Sequence, residues 1–325
     1  MLRVDCQTHV FPPAYAELLT ACDGYLKVHR EGDDYRACYG GFQEFLLSTA
    51  SYDVEKKIRD MDTAGIDIGI LSLNIPGPEL LPPELGALGA RVCNDYVAEV
   101  CRAHPGRFYG LAALPLQDVP SALDELRRAT KELDFRGAVL YSNICGRPVD
   151  APEFEPLYAM AERERIPLVI HPTVPPWGAS FSDYHMIPMV GFMVDQSLAM
   201  LRLILGGVLE RHPGLIVVQP HCGGVLPYLM PRIVEQTEVK KRGRENIRKS
   251  PAEYYAHVYL DVVSPSIETI KFAYDFAGPE RLVFGTDHPW VQTVVFRDLL
   301  EGLPVPDSHK ERIFGGNACT LFGIG

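Results

Sequence analysis

Residues 137–171, GAVLYSNICGRPVDAPEFEPLYAMAERERIPLVIH, decide the fold. An apolar run, Gly137–Leu140, opens the stretch and a second, Leu168–His171, closes it. Between them Phe154–Arg165 repeats apolar residues at helical spacing. A strand, a helix and a strand in so short a stretch form a crossover unit, which forces the two strands to lie parallel. The pattern extends in both directions. Leu2–Asp5, Ile68–Leu73, Phe108–Ala113, Ile216–Gln219, Val258–Val262 and Leu282–Phe284 read as further strands, making eight. Helical periods cover Val54–Ala64, Leu88–Ala103, Ser121–Leu133, Leu198–Arg211, Ser266–Phe276 and Arg297–Leu303. Asp53 stands where an N-cap belongs, and Gly65, Gly137 and Gly278 follow helices where the chain must turn. Eight alternating units predict an α/β fold of the (β/α)8 TIM-barrel type, expected as a single domain over residues 1–325.

Two departures make the expected barrel a distorted one. Residues 12–52 form an insertion after the first strand, in which Leu26–Arg30 and Tyr35–Tyr39 flank Glu31-Gly32-Asp33-Asp34. That arrangement predicts a β-hairpin with a polar turn. After the last strand, Asp307–Phe322 reads as extra C-terminal helices. No internal repeat, low-complexity tract or linker interrupts the pattern.

Composition narrows the function. Hydrophobic residues make up 47% and charged residues 22%, enough apolar surface to bury a core, so a disordered chain is excluded. The formal charge of −11 opposes the positive surface that a nucleic-acid binder needs. The basic cluster within Glu238–Lys249 therefore reads as a solvated helical face or a subunit contact. No apolar run is long enough for a membrane span, and no apolar signal region follows Met1, so a cytoplasmic enzyme is expected. None of the eight cysteines forms a Cys-x-x-Cys pair, and they read as reduced thiols.

In a barrel of this type the chemistry sits where strands end at the carboxyl face. The first strand runs into Asp5-Cys6-Gln7-Thr8-His9, where Gln7 and His9, two apart, point to one face. The fifth ends at His171, the sixth at His221 in Gln-Pro-His-Cys-Gly-Gly, and the eighth at Asp287 in Phe-Gly-Thr-Asp-His-Pro-Trp. One buried histidine is ordinary core chemistry, whereas four polar strand ends converging in one barrel point to a site. Alternation turns Cys6 away from the barrel interior, which argues against a catalytic thiol. Trp177, Phe192 and Trp290 lie in or near the loops after strands five and eight and are candidates to clamp a flat unsaturated ring; His288, next to Asp287, is a further candidate to face the pocket.

These motifs, together with Arg59-Asp60-Met61-Asp62-Thr63-Ala64-Gly65-Ile66-Asp67, Pro105-Gly106-Arg107-Phe108, Ala113-Leu114-Pro115, Asn143-Ile144-Cys145-Gly146-Arg147-Pro148 and Gly316-Asn317-Ala318, resemble the amidohydrolase superfamily over nearly the whole chain. The resemblance is to the branch of aminocarboxymuconate-semialdehyde decarboxylase and the γ-resorcylate-type decarboxylases. It implies one divalent metal ion held by Gln7, His9, His171 and Asp287, with zinc expected and manganese an alternative. It implies that His221 acts on bound water or substrate, and that Arg232 is lent across a homodimer interface to a substrate carboxylate. A guanidinium fork suits that task.

Three features qualify the resemblance. Gln7 stands where the family carries a histidine or glutamate, and a neutral amide oxygen is the weaker donor. Phe45–Tyr52 lacks the arginine of the semialdehyde decarboxylase, which argues against the same substrate. The fourth strand ends without the lysine of binuclear relatives, so at most one metal is expected. The favoured reading is a metal-dependent non-oxidative decarboxylase, a carbon–carbon lyase, acting on a small unsaturated or aromatic carboxylic acid, with His221 and Asp287 as the proton-handling pair. The same residues would also support a lactone or amide hydrolase or a hydratase. Gln7 leaves open a non-catalytic binding protein.

Overall fold

The computed structural model describes residues 1–325. Its thirteen strands are, in chain order, β1 Val4–Val10, β2 Leu26–Glu31, β3 Asp34–Tyr39, β4 Gln43–Leu47, β5 Ile68–Leu73, β6 Phe108–Ala112, β7 Gly137–Tyr141, β8 Asn143–Ile144, β9 Arg147–Pro148, β10 Leu168–His171, β11 Val217–Gln219, β12 Tyr259–Asp261 and β13 Leu282–Val283. Eight of them make one sheet in the order β1-β5-β6-β7-β10-β11-β12-β13, with every ladder parallel. The two edges are drawn together by backbone bonds: Cys6 donates to Phe284 at 2.9 Å, Asp287 to Gln7 at 2.8 Å and His9 to His288 at 2.8 Å. The result is a nearly closed barrel ringed by helices, as the alternating pattern requires.

The seam between the edges is where the structure departs most from ideal geometry. β1 is longer than the predicted Leu2–Asp5, so Gln7 and His9 lie within the strand rather than after it. Its pairing with β5 slips between Asp5 and Thr8, where Cys6 and Gln7 of β1 stand against Ile70 alone of β5. Such a bulge bends and twists a strand locally and re-aims its side chains.

Helices follow the predicted periods with shifted ends. Val54–Ala64 opens on Asp53, whose carboxylate accepts from the backbone N–H of Glu55 and Lys56, and closes on Gly65 with φ 66°. The period read as Leu198–Arg211 is two helices, Phe192–Leu205 and Val208–Arg211, broken at Gly206 and a left-handed Gly207. A helix after β11, Leu226–Val234, has no counterpart among the predicted periods; Pro227 in its first turn and Pro231 inside it disguise the pattern. Asp183–Leu205 is long and apolar, but half of that window is buried against the protein. Asp307–Glu311 and Asn317–Phe322, joined by a wider turn, pack at β13, where Phe284 donates to the Ile313 carbonyl at 2.9 Å.

The 12–52 insertion holds a three-stranded antiparallel sheet, β2-β3-β4, not the two-stranded hairpin expected. The missed strand, β4, follows a turn through Gly40 (φ 55°) and Gly41 (φ 75°), a pair that supplies the positive φ a tight connection needs. A second apolar core, including Phe11, Tyr15, Leu26, Tyr39, Leu47 and Tyr52, joins this sheet to Leu73, Cys93, Val174 and Ile187 of the barrel. All eight cysteines are unpaired thiols.

Candidate active site

His9, His171 and Asp287 bring their ligand atoms within 4.8 Å of one another. The two imidazoles meet edge to face, with ring centroids 4.8 Å apart. His171 Nδ1 lies 2.7 Å from the Pro172 carbonyl. A carbonyl only accepts, so Nδ1 carries the proton and Nε2 is left as a lone pair. His9 is oriented by Ser72 Oγ at 2.9 Å from Nδ1, and its Nε2 lies 2.9 Å from Asp287 Oδ1. Burial drives both histidines down to about 3, so both are neutral, the form that ligates a metal. Two buried neutral imidazoles and a carboxylate with 22% of its side chain exposed form an N,N,O donor set open on one side.

Gln7 sits beside this set. Its Nε2 donates to Asp287 Oδ1 at 3.3 Å, while its buried Oε1 has no hydrogen-bond partner. Two neutral imidazoles and a carboxylate, beside a buried amide whose oxygen has no partner and which can be turned toward them, fit a metal ion. The Nε2 atoms of Gln7 and His9 both reach Asp287 Oδ1, so the structure brings these two residues of β1 together.

His221 ends the β11 segment with φ 53°, and Asp287 has φ 60°. Non-glycine residues in this region cost about 1 kcal/mol or more each, and such strain is held only where surrounding contacts over-determine it. At His221 the contact is Asp261, whose carboxylate accepts from the His221 and Val263 backbone N–H at 2.6 and 2.9 Å. Burial pushes Asp261 up to about 8 and lowers His221 to about 4. Asp287 is raised by burial, with His221 and His171 opposing.

Above these groups lies a cavity of about 360 Å³. His171, His221 and Asp287 form its polar floor; Phe45, Leu47, Phe192, Met193 and Trp290 are prominent among its apolar walls. Phe45 stacks on Phe192 at 6.1 Å, and Tyr52 meets Trp290 edge-on at 6.1 Å. No lysine or arginine lines the cavity. Asn74 does, with its Oδ1 accepting from the Ile75 N–H and a buried Nδ2 that has no partner.

Of the residues expected to touch a ring, Phe192 and Trp290 line the cavity. Trp177 does not: it packs on Phe181 at 5.2 Å, outside the cavity lining. His288 is also turned away, because the left-handed Asp287 breaks strand alternation and sends the next side chain behind β1. Arg232 is exposed on Leu226–Val234 and lines no part of its own chain's cavity. Phe45, Leu47, Asn74, Ile75, Pro188 and Met193 were not anticipated. Only the Gly40-Gly41 turn ahead of β4 offered a sequence signal for two of them.

The amidohydrolase family model matches residues 4–324. The 2-amino-3-carboxymuconate-6-semialdehyde decarboxylase of Dictyostelium discoideum is 27% identical over 99% of this chain and 92% of its own. The gamma-resorcylate decarboxylase of a Rhizobium species is 30% identical over 83% of this chain and 87% of its own. Among solved structures, a Polaromonas dihydroxybenzoic acid decarboxylase with bound manganese and the inhibitor 2-nitroresorcinol superposes with a TM-score of 0.84, at 26% identity, covering 99% of this chain and 97% of that one.

Proposed function

Because this chain belongs to the amidohydrolase family, we propose that it is a metal-dependent, non-oxidative decarboxylase of a small aromatic or unsaturated carboxylic acid. The observation that carries the proposal is the cluster of His9, His171 and Asp287 at the floor of a cavity walled by aromatic and aliphatic side chains. The names of the relatives agree with it.

His9, His171 and Asp287 would hold one divalent ion, with Gln7 a weak further contact if its amide is turned to present Oε1. When bound, such an ion supplies Lewis-acid stabilisation for the charge left as a carboxylate departs. Zinc suits two imidazoles and a carboxylate; the manganese of the Polaromonas relative and the neutral oxygen of Gln7 favour Mn2+ as the second candidate. Elemental analysis of purified protein decides between them.

The protein's own groups account for the rest. Decarboxylation breaks one carbon–carboxylate bond and places a proton on that carbon. Asp287 and His221 both line the cavity and would handle that proton between them; His221, held neutral by burial, can accept one from a substrate hydroxyl or water. Phe192, Phe45 and Trp290 would hold a flat ring and exclude water, and the free Nδ2 of Asn74 would donate to a ring oxygen. The cavity has no cation of its own for the substrate carboxylate, which supports a homodimer in which Arg232 reaches a neighbour's site. Tyr228 and Arg232 are both exposed and lie four apart on one helix, hence on one face. Eight unpaired thiols support a reducing, cytoplasmic setting.

The test is release of carbon dioxide from a panel of phenolic and enol carboxylates by metal-supplemented protein. Turnover of lactones or amides without carbon dioxide would replace this reading with hydrolysis. Tight ligand binding without any turnover would make the chain a binding protein.

A further inference from the structure

Behind the cavity floor lies a chain of buried polar groups that the proposed chemistry does not use. Lys57, on the helix Val54–Ala64, is only 1% exposed. It occupies the helix's buried face with Met61 and Ala64, at positions where an apolar residue belongs. Its Nζ donates to Thr8 Oγ1 at 2.5 Å and to His288 Nδ1 at 2.7 Å. Because Nδ1 accepts, His288 carries its proton on Nε2, which donates to Asp60 at 2.9 Å. Thr8 lies between Gln7 and His9, and His288 directly follows Asp287. A single ammonium therefore joins the strand that bears one pair of site residues to the loop that bears another.

On the other side of Asp287, Thr286 is held as firmly. Asp5 accepts from the Thr286 N–H at 3.0 Å and its hydroxyl at 2.5 Å. Asp287, strained at φ 60°, is thus gripped through both of its sequence neighbours, by Asp5 through Thr286 and by Lys57 through His288. Burying an ammonium where a methylene chain would fit is unfavourable unless its hydrogen bonds achieve something specific. The partners on which Lys57 spends them are the neighbours of the ligand atoms.

We propose that Lys57 is a positioning residue, which sets the spacing of the His9 and Asp287 ligand atoms by tying Thr8 to His288. This rests on the reading of His9, His171 and Asp287 as the holders of a metal ion. Partners outside the ligand set commonly change metal affinity or activity by about 10–100-fold when removed.

The test is a Co2+ titration, with affinity from chelator competition and geometry from the visible spectrum, on wild-type protein, Lys57→Met and Thr8→Val. Lys57→Met keeps the side-chain length and removes the donor. The expected result is a cooperatively unfolding variant whose Co2+ affinity falls about 10–100-fold and whose spectrum shifts, with Thr8→Val displaced in the same direction by less. A merely structural lysine would lower the unfolding temperature and leave affinity and spectrum of the folded protein unchanged, and that result overturns the proposal. If Lys57→Met fails to fold, Thr8→Val carries the test alone: weaker binding supports the proposal, and wild-type affinity and spectrum overturn it. Wild-type protein that binds no Co2+ would overturn the metal reading and this inference with it; equal affinities overturn this inference alone.

Discussion

The floor and the roof of the cavity are built by opposite means. The floor takes His171, His221 and Asp287 from strand ends, with the fully buried His9 of β1 behind them, and the histidines are fixed through the backbone or a short hydrogen bond: Ser72 on His9, the Pro172 carbonyl on His171, Asp261 beneath His221. The roof takes Phe45 and Leu47 from the inserted sheet, Met193 and Phe192 from the start of one long helix, and Trp290 from a loop, and places their side chains mainly by packing. Hydrogen bonds specify direction, so a floor group moved by an ångström no longer reaches its partner. Packing specifies volume, so a roof can be reshaped without disturbing what lies below. On the proposed function, the chemistry would belong to the floor and the choice of ring to the roof.

The sharpest test of that division removes one floor group. His221→Ala should lower kcat by about 10²–10⁴-fold, as loss of a proton-transferring side chain does, while ligand binding measured by calorimetry changes little. A KM effect with unchanged kcat would move His221 from chemistry to binding. Next in size is the cation that neither floor nor roof contains. Arg232→Ala should raise KM by about 10–100-fold, the loss of a charge-assisted pair. Mixed with His171→Ala in a dimer shown to exchange subunits, it should regain activity through hybrid sites. No recovery would place the arginine outside the neighbour's cavity.

The same division decides what could be read from the sequence. The floor was legible because a strand end is a position in a pattern: the two-residue spacing of Gln7 and His9, and the motifs at His171, His221 and Asp287, point inward whatever surrounds them. The roof was not, since nothing in Phe45 or Met193 announces which cavity a distant loop will cover. Aromatic content alone selected Trp177, which instead packs on Phe181. His288 was misplaced for a local reason, the left-handed residue before it. Lys57 was readable in principle, as a charge in register with Met61 and Ala64 on an apolar face.

If the roof works by packing, its residues should affect substrate choice more than rate. Phe45→Ala removes one ring of the Phe45–Phe192 stack and should raise KM by about 10-fold, a loss of 1–2 kcal/mol of apolar contact, with kcat nearly unchanged. Larger, more substituted rings should lose less than small ones, since the variant makes room for them. A kcat collapse without a KM change would show that the inserted sheet orders the floor as well as covering it.

The smallest expected effect lies at the joint between the two regions and leaves activity alone. Glu79, in the loop after β5, is buried with neither carboxylate oxygen hydrogen-bonded. Around it stand Tyr15, Tyr39, Tyr141 and Cys93, three of which belong to the core that fastens the inserted sheet to the barrel. Burial pushes Glu79 from an ordinary 4.5 up to about 8. In the unfolded chain it loses its proton near 4.5, while the folded protein retains it to about 8. The folded state therefore binds the extra proton between these values, and stability falls as pH rises through that window, by a few kcal/mol in order of magnitude. Glu79→Gln cannot ionise and escapes the loss. Its unfolding temperature should match wild type near pH 5 and exceed it by several degrees at pH 9, with the gap opening between those values. A gap independent of pH would mean that the carboxylate is ionised and satisfied in the folded protein, and that the joint is no weaker than the floor.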